Sequence, residues 1–477
     1  MSAVPKYPNF IDGQAVSGED WIEVENPYTG QIIGLAPKLG ADAADRALAA
    51  AKAAQPAWAK RAPADRATYL AKCAQVIREN RDELAKLLMA EQAKVWPLAQ
   101  VEIDVTATYF DYYAGWARIY EGEIINSDDP QENIFLFVKP IGVAVGICPW
   151  NFPFFVMARK VAPSLLTGCA TVLKPSSTTP LSTLRFAELI QDIGLPPGVL
   201  NFVSGGGGSL GAALVRNPLS DIVSLTGSVE AGVEIIKDSA DKIMKTSLEL
   251  GGKAPAIVFP DADLDLAVKG VTDSRLIFSG QVCNCAERAY VHKDIYPEFM
   301  DKLKAAFEAA KIGDPAAPGM AYSSQVDKAQ LEKISAMVER AVAAGAEVVT
   351  GGKPADLGQG YFYEPTILAG AAQDSEIVQK EVFGPVLPVM QWDDYDQVIA
   401  DANDCEYGLT SSVFTTNVST SMQAIKDLNF GETYVNREHF EGIQGFHAGW
   451  RKSGIGGADG KHGLYEYLQT QAAYIRY

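Results

Sequence analysis

The chain has 477 residues, 48% of them apolar and 21% charged, with a formal net charge of −18 from 41 basic and 59 acidic side chains. That length exceeds one ordinary core and predicts two or three domains, and the composition excludes wholesale disorder. An acidic chain with no compensating Lys/Arg cluster repels phosphate backbones, so no nucleic-acid partner is expected.

Residues 1–12 lack a basic segment followed by an apolar one, so no secretory leader is expected. Three uncharged runs have the length of a membrane span. Run 140–158 is broken by Pro149 and Pro153, and run 193–215 by Pro196, Pro197 and the glycines 205–208. Run 407–425 is too rich in Ser and Thr. The first reads as a buried strand entering a turn, and none reads as a span. The six cysteines, at 73, 148, 169, 283, 285 and 405, match no zinc spacing, and a core this large needs no disulfide. No metal site and a reducing cytoplasm are the expectations.

In chain order, Asp42 is read as the cap of a helix over 43–54, ended by Pro56. Leu70, Cys73, Ile77, Leu84 and Leu88 step by three, four or seven and predict one long helix with a single apolar face. The rhythm then changes. Apolar runs at 143–147, 170–173, 199–203 and 222–225, separated by amphipathic segments such as 181–193, predict a parallel doubly wound sheet. A second series at 256–259, 289–292, 347–350, 409–414 and 433–436 predicts a second α/β domain. Segments 133–138 and 472–477 fit neither series and are expected to pair as a protruding ribbon. No linker marks a boundary, so the domains are expected to share the chain discontinuously.

Three short stretches carry chemistry. In Ser279-Gly280-Gln281-Val282-Cys283-Asn284-Cys285, a Gly-Gln pair before Cys283 suggests tight backbone packing around a thiol. Taken alone, a buried structural Cys is the commoner case, and a nucleophile needs a base and an oxyanion donor. Glu249, between Leu248 and Leu250, is the base candidate. Its apolar flanks predict a carboxyl raised toward general-base range, against the plainer reading of a salt-bridged Glu. Glycines 251 and 252 permit close approach by another backbone or a ligand. Asn151, in Pro149-Trp150-Asn151-Phe152-Pro153, is the oxyanion donor candidate, against a simple turn residue.

These elements, with Lys174-Pro175, Thr226-Gly227-Ser228 and Glu381-Val382-Phe383-Gly384-Pro385, resemble the aldehyde dehydrogenase superfamily in order and spacing over essentially the whole chain. The resemblance implies the family's α/β fold: a Rossmann-like cofactor domain (1–120 and 141–251), an α/β catalytic domain (252–446) and a β-ribbon oligomerisation element (121–140 and 460–477). It implies a homodimer or homotetramer acting on a small aldehyde with NAD or NADP. Cys283 would be the nucleophile, its N–H and Asn151 the oxyanion hole, and Glu249 the base for deacylation. Lys174 and Glu381 would contact riboses, Ser228 the pyrophosphate, and Phe383 the nicotinamide, with Trp150, Thr226 and Gly227 beside them. Gly205, Gly207 and Gly211 meet the dinucleotide pattern G-x-G-x-x-G only loosely, and Gly207 is read as part of a flexible turn next to the cofactor.

Two departures bear on specificity. Many members carry a Glu three residues after the lysine; here it is Ser177, which removes a charge that repels the extra phosphate of NADP, so NADP is expected to be accepted. Segments 432–438, 444–463, 280–288 and 149–160 are similar to the branch whose members oxidise small α-hydroxyaldehydes such as lactaldehyde and glycolaldehyde. A buried substrate hydroxyl needs a polar partner, and Arg159, Asn284 and His447 are the candidates. Arg159 also suits a substrate carboxylate, which keeps a semialdehyde substrate open. The non-hydrolytic acyl-CoA branch generally lacks the Glu249 base. A crystallin-like structural protein on this fold is the non-enzymatic alternative, disfavoured by Cys283, Glu249 and Asn151 together.

Overall fold

A computed structural model describes residues 4–477; Met1–Ala3, part of the segment read for a leader, lie outside it. The chain opens with four short strands that sequence patterning missed: Asn9–Ile11, Gln14–Val16, Trp21–Glu25 and Ile32–Pro37. At three to six residues each they are too short for a period-2 signal.

The first helix runs Ala41–Ala59 and passes through Pro56. Gly40, not Asp42, stands at its N-cap, with no side-chain hydrogen bond. Pro56 lies on the exposed face, where solvent can satisfy the backbone carbonyl that a proline leaves unpaired. The single long helix expected next is two helices, Pro63–Glu79 and Arg81–Gln92, broken at Asn80. Its apolar spacing survives because both pieces bury the predicted face, with Leu70, Cys73, Ile77, Leu84 and Leu88 at most 1% exposed.

Five parallel strands form the heart of an eight-stranded sheet: Lys245–Glu249, Ile222–Thr226, Val143–Ile147, Ala170–Lys174 and Leu200–Phe202, in that spatial order. Antiparallel strands close both edges, Gly454–Ile455 on one side and Asn9–Ile11 with Gln14–Val16 on the other. The second sheet has seven strands, parallel except for the edge strand Glu347–Thr350. Buried parallel strands carry continuous apolar runs, which is why the first series was visible in the sequence; of the second sheet's strands, five were visible and Thr366–Ala369 and Val386–Trp392 were missed. Among the described residues no helix is long and apolar enough to cross a membrane.

A third sheet is the ribbon. Glu132–Pro140 pairs antiparallel with Leu468–Arg476, from Leu468 opposite Pro140 to Arg476 opposite Glu132, and with Glu123–Asn126 on its other side. The C-terminal part of the expected ribbon begins instead as a short helix, Gly460–Tyr465. Removing residues 468–477 turns Glu132–Pro140 into an unpaired edge with Phe135 and Phe137 on it, a template for association between chains. The expected outcome is a folded but aggregating protein, read by light scattering of the truncated chain against the full one.

Candidate active site

In a parallel α/β sheet, ligands gather beyond the carboxyl ends of the strands. The residues singled out in the first half lie there: Pro149 to Asn151 beyond Ile147, Lys174 at a strand end, Thr226 to Ser228 at the next, and Glu249 at the last. Cys283 comes from the other sheet, in the turn before Ala286–His292.

That turn is held in an unusual backbone shape. Phe278, Ser279 and Gly280 have φ of 46°, 59° and 72°, and a non-glycine residue there costs about 1–3 kcal/mol. Side chains over-determine it. Ser279 Oγ donates to Ser323 O at 2.9 Å, Gln281 Nε2 to Phe278 O at 3.1 Å, and Gln281 Oε1 accepts Val326 N–H at 2.9 Å. Gly280 is required: a Cβ there would lie 2.2 Å from Gly384 O. Gly252 is required too, because a Cβ on it would lie 2.5 Å from Cys283 O.

Asn151 is tied to the same turn. Its Nδ2 donates to Gln281 O at 2.9 Å, and its backbone oxygen accepts Lys94 Nζ at 2.8 Å and Gln92 Nε2 at 2.9 Å. Lys94 forms an ion pair with Glu102, both fully buried, and sits over the rings of Phe152 and Phe278. Glu102 in turn accepts Phe154 N–H at 3.0 Å and Phe155 N–H at 3.3 Å, capping the helix Pro153–Thr167. A carboxamide has two N–H donors, and Gln281 uses one.

Glu249 corrects the expected titration. Burial pushes its carboxyl up, but Arg159, Lys160, His447 and the Thr226 hydroxyl outweigh burial and hold it below the ordinary range. Oε2 accepts Arg159 Nη1 at 3.3 Å and Thr226 Oγ1 at 3.0 Å, while buried Oε1 has no partner in the protein. The two leucines flank it in sequence, yet alternation along the strand sends the acid toward cations that come from a helix 90 residues earlier.

Arg159 does lie on the wall beside Asn151, as its helix position predicted. Much of its guanidinium is occupied: Nη2 contacts Glu441 at 2.7 Å, Asp459 at 2.8 Å and Tyr109 Oη at 3.1 Å, while buried Nε has no partner in the protein. Three carboxylates already surround it, so a substrate carboxylate would meet their repulsion. Asn284 Nδ2 donates to the other oxygen of Glu441 at 2.6 Å. His447 is 2% exposed, with Nδ1 2.8 Å from Glu432 Oε1. Burial holds the Cys283 thiol above its ordinary value, with His447 opposing that shift.

Two cavities of about 320 Å³ meet at Cys283, and Pro149, Asn151 and Thr226 line both. The first is mostly apolar and continues past Phe155, Arg159, Asn284 and Glu441. The second is walled by Trp150 and Phe383, edge-to-face at 5.4 Å, and by Gly227, Ser228, Glu381 and Lys333. Ser228 caps the helix Val229–Ser239 by accepting Ala231 N–H, leaving the positive end of the helix beside this cavity. Glu381 Oε1 accepts Gly252 N–H at 2.8 Å, and a Cβ on Gly251 would intrude to 2.6 Å from the carboxylate. Burial lifts the Glu381 carboxyl to about 7.

Lys174, Ser177 and Gly207 lie apart from that wall. Lys174 is buried, its ammonium pushed down to about 8 by burial, and its stem lies near Gly211. Ser177 is half-buried in the bend that follows. Gly207 opens a π-helical turn, Gly207–Gly211, leading into Ala212–Arg216, rather than a flexible loop. Sequence reasoning missed Glu441, Asp459, Glu432 and Lys160, which surround Glu249, Arg159 and His447. Each is a lone charged residue without local pattern, and only the fold brings them together. All six cysteines are free.

The sequence model of the aldehyde dehydrogenase family matches residues 13–473, and the chain belongs to that family. It is therefore an NAD(P)-dependent oxidoreductase acting on aldehydes. It is 52% identical to the lactaldehyde dehydrogenase of Escherichia coli K12 over 100% of both chains, and the solved structure of that E. coli enzyme superposes with a TM-score of 0.98, again over 100% of each. It is 37% identical to a D-glyceraldehyde dehydrogenase (NADP(+)) of Thermoplasma acidophilum over 98% of this chain and 96% of that one. The betaine aldehyde dehydrogenase of Staphylococcus aureus in complex with NAD+ is 33% identical with a TM-score of 0.96, covering 98% of this chain and 95% of that one.

Gly252→Ala is expected to leave the protein folded but lower kcat at least tenfold, because an ångström of misplacement at a reacting atom costs up to about 10² in rate; steady-state kinetics with a melting curve checks it. Arg159→Gln removes the nearest cation from Glu249. A carboxylate next to an opposite charge is typically lowered by about 1–3 pH units, so losing Arg159 raises it, and the acidic limb of kcat moves to higher pH in a pH–rate profile.

Proposed function

We propose that this chain oxidises small hydroxyaldehydes, of the lactaldehyde or glycolaldehyde type, to the carboxylic acid through a covalent Cys283 intermediate. The observation that carries the substrate class is the polar rim beside Cys283, in which Asn284 and Arg159 converge on Glu441 while three carboxylates close Arg159 to a fourth. Such a rim suits a neutral hydroxyl and repels a distal carboxylate, which weighs against the semialdehyde reading. Relatives bearing the names of lactaldehyde and D-glyceraldehyde dehydrogenases support it.

The Cys283 sulfur attacks the aldehyde carbon, and the developing oxyanion is held by the Cys283 N–H and the second N–H of Asn151. The nicotinamide, when bound, supplies the hydride acceptor. The acyl group remains on sulfur as a thioester. Glu249, ionised at neutral pH, takes a proton from the hydrolytic water on Oε1, its unpaired oxygen. Cofactor contacts fall to Trp150, Thr226, Gly227, Ser228, Glu381 and Phe383 around the second cavity, and to Lys174, Ser177 and Gly207 at the adjoining strand end. Ser177 places no charge against a 2′-phosphate, so both NAD and NADP are accepted. His447 would complete the substrate's polar surroundings.

The same proposal includes the division into cofactor-binding (1–120, 141–251), catalytic (252–446) and ribbon (121–140, 460–477) parts. It also includes a cytoplasmic location, supported by six free thiols, and a homodimer or homotetramer formed through the ribbon, whose Ile124, Phe137, Tyr474 and Ile475 are exposed.

Steady-state kinetics on glycolaldehyde, lactaldehyde and succinate semialdehyde, each with NAD and NADP, tests this reading. The hydroxyaldehydes should have the higher kcat/KM, and NADP should support turnover. Preference for succinate semialdehyde would overturn the substrate class, and turnover by Cys283→Ala would overturn the covalent route.

A further inference from the structure

Four residues after Cys283, the strand Ala286–His292 carries a fully buried acid, Glu287. It lines neither cavity, yet its two oxygens make four contacts. Oε1 meets Arg275 Nη1 at 2.7 Å and accepts Phe383 N–H at 3.1 Å. Oε2 accepts Lys253 Nζ at 2.8 Å and Val382 N–H at 3.1 Å. Burial pushes the carboxyl up, but Arg275 and Lys253 outweigh burial and keep it ionised.

These partners belong to separate parts of the site. Arg275 also donates to Gly280 O and, at 2.9 Å, to Ala286 O, so it grips the Cys283 turn on both sides. Lys253 follows Gly252, whose N–H is held by Glu381. Val382 and Phe383 continue from Glu381 along the wall of the second cavity. Phe383 has φ of 58°, which a non-glycine residue keeps only where its surroundings over-determine it. Glu287 holds its N–H, and Gln330 Nε2 donates to its carbonyl at 2.7 Å. With both backbone groups fixed, the ring stands edge-to-face against Trp150.

We propose that Glu287 is a positioning residue that fixes the Glu381–Phe383 segment, and with it the nicotinamide half of the cofactor, relative to Cys283. It touches neither cofactor nor substrate and acts through two backbone N–H groups. The inference rests on the second cavity taking the nicotinamide half. Rate depends on the separation of reacting groups to within about an ångström. One carboxylate bonded to the cofactor wall and, through Arg275, to the Cys283 turn sets that separation. Lys174 and Ser177, at another strand end, are outside its reach.

Glu287→Asp separates this role from that of a plain ion pair. The shorter acid keeps its charge, and the flexible Lys253 and Arg275 side chains can follow it, whereas backbone N–H groups cannot. In the full-length variant, NAD should bind at least fivefold more weakly by isothermal titration. ADP, which lacks the nicotinamide half, should bind within twofold of wild type. Alkylation of Cys283 by iodoacetamide, read by mass spectrometry, needs no cofactor and should also stay within twofold. With glycolaldehyde, kcat should fall about tenfold while its KM holds. Glu287→Gln keeps the length but leaves one N–H without an acceptor, and should give the same pattern.

If the variants fold, by circular dichroism, and NAD affinity is unchanged, the proposal is overturned. An equal loss of ADP affinity, or an equal slowing of alkylation, overturns it as well, because the effect is then a general loosening or lies in the Cys283 turn. If one variant does not fold, the other decides by the same comparison; if neither folds, Glu287 is a requirement of the fold and the proposal is overturned. Should Phe383→Ala keep wild-type affinity for NAD, the cofactor placement itself fails, apart from any role of Glu287.

Discussion

One guanidinium organises this molecule. Arg159, 4% exposed, is bound by Glu249 at the end of a central strand, by Glu441 and Asp459 in the C-terminal region, and by Tyr109 from the helix Trp96–Gly115. A buried charge without partners is prohibitively costly, and removing one partner from a satisfied cluster costs about 3–5 kcal/mol. Segments as much as 350 residues apart in sequence are therefore drawn to one point. Acids outnumber the arginine there, so the rest of the pocket supplies cations. Lys160 donates to Ser224 and Thr226, each at 2.9 Å, and His447 stands against Glu432. Asp459, the acid left least compensated, is lifted to about 6 by burial.

This ledger explains why Glu249 is ionised rather than raised. Its sequence neighbours are apolar, and a reading confined to neighbours sees only burial. The cations are placed by the helix Pro153–Thr167, whose own start is capped by Glu102, whose partner Lys94 holds the Asn151 turn. Asn151, Glu249 and the turn that carries Cys283 are thus braced by a chain of buried charges rather than by three independent contacts.

The fold was largely legible. Strands such as Val143–Ile147 and Ile222–Thr226 are buried on both faces, and their apolar runs announce it. The ribbon was legible too, since 133–138 and 472–477 fitted no other pattern and do pair. Short N-terminal strands were invisible because three residues carry no periodicity. The helix break at Asn80 was hidden because the apolar spacing continues across it. At the site, Cys283, Glu249 and Asn151 stood out through their glycines and prolines, whereas Glu432, Glu441 and Asp459 have no local signature and exist as a group only in three dimensions.

Two cavities converge on a single sulfur, with Asn151 and Thr226 in the partition between them. Trp150 and Phe383 stand on one side of that partition only, and Phe155 and Asn284 on the other only. Traffic on the two sides of the thiol need not queue: the space between Trp150 and Phe383 can empty while the space beside Phe155 and Asn284 is still filled. The partition thus makes the order of departure a matter of relative rates, not of one molecule blocking another's exit.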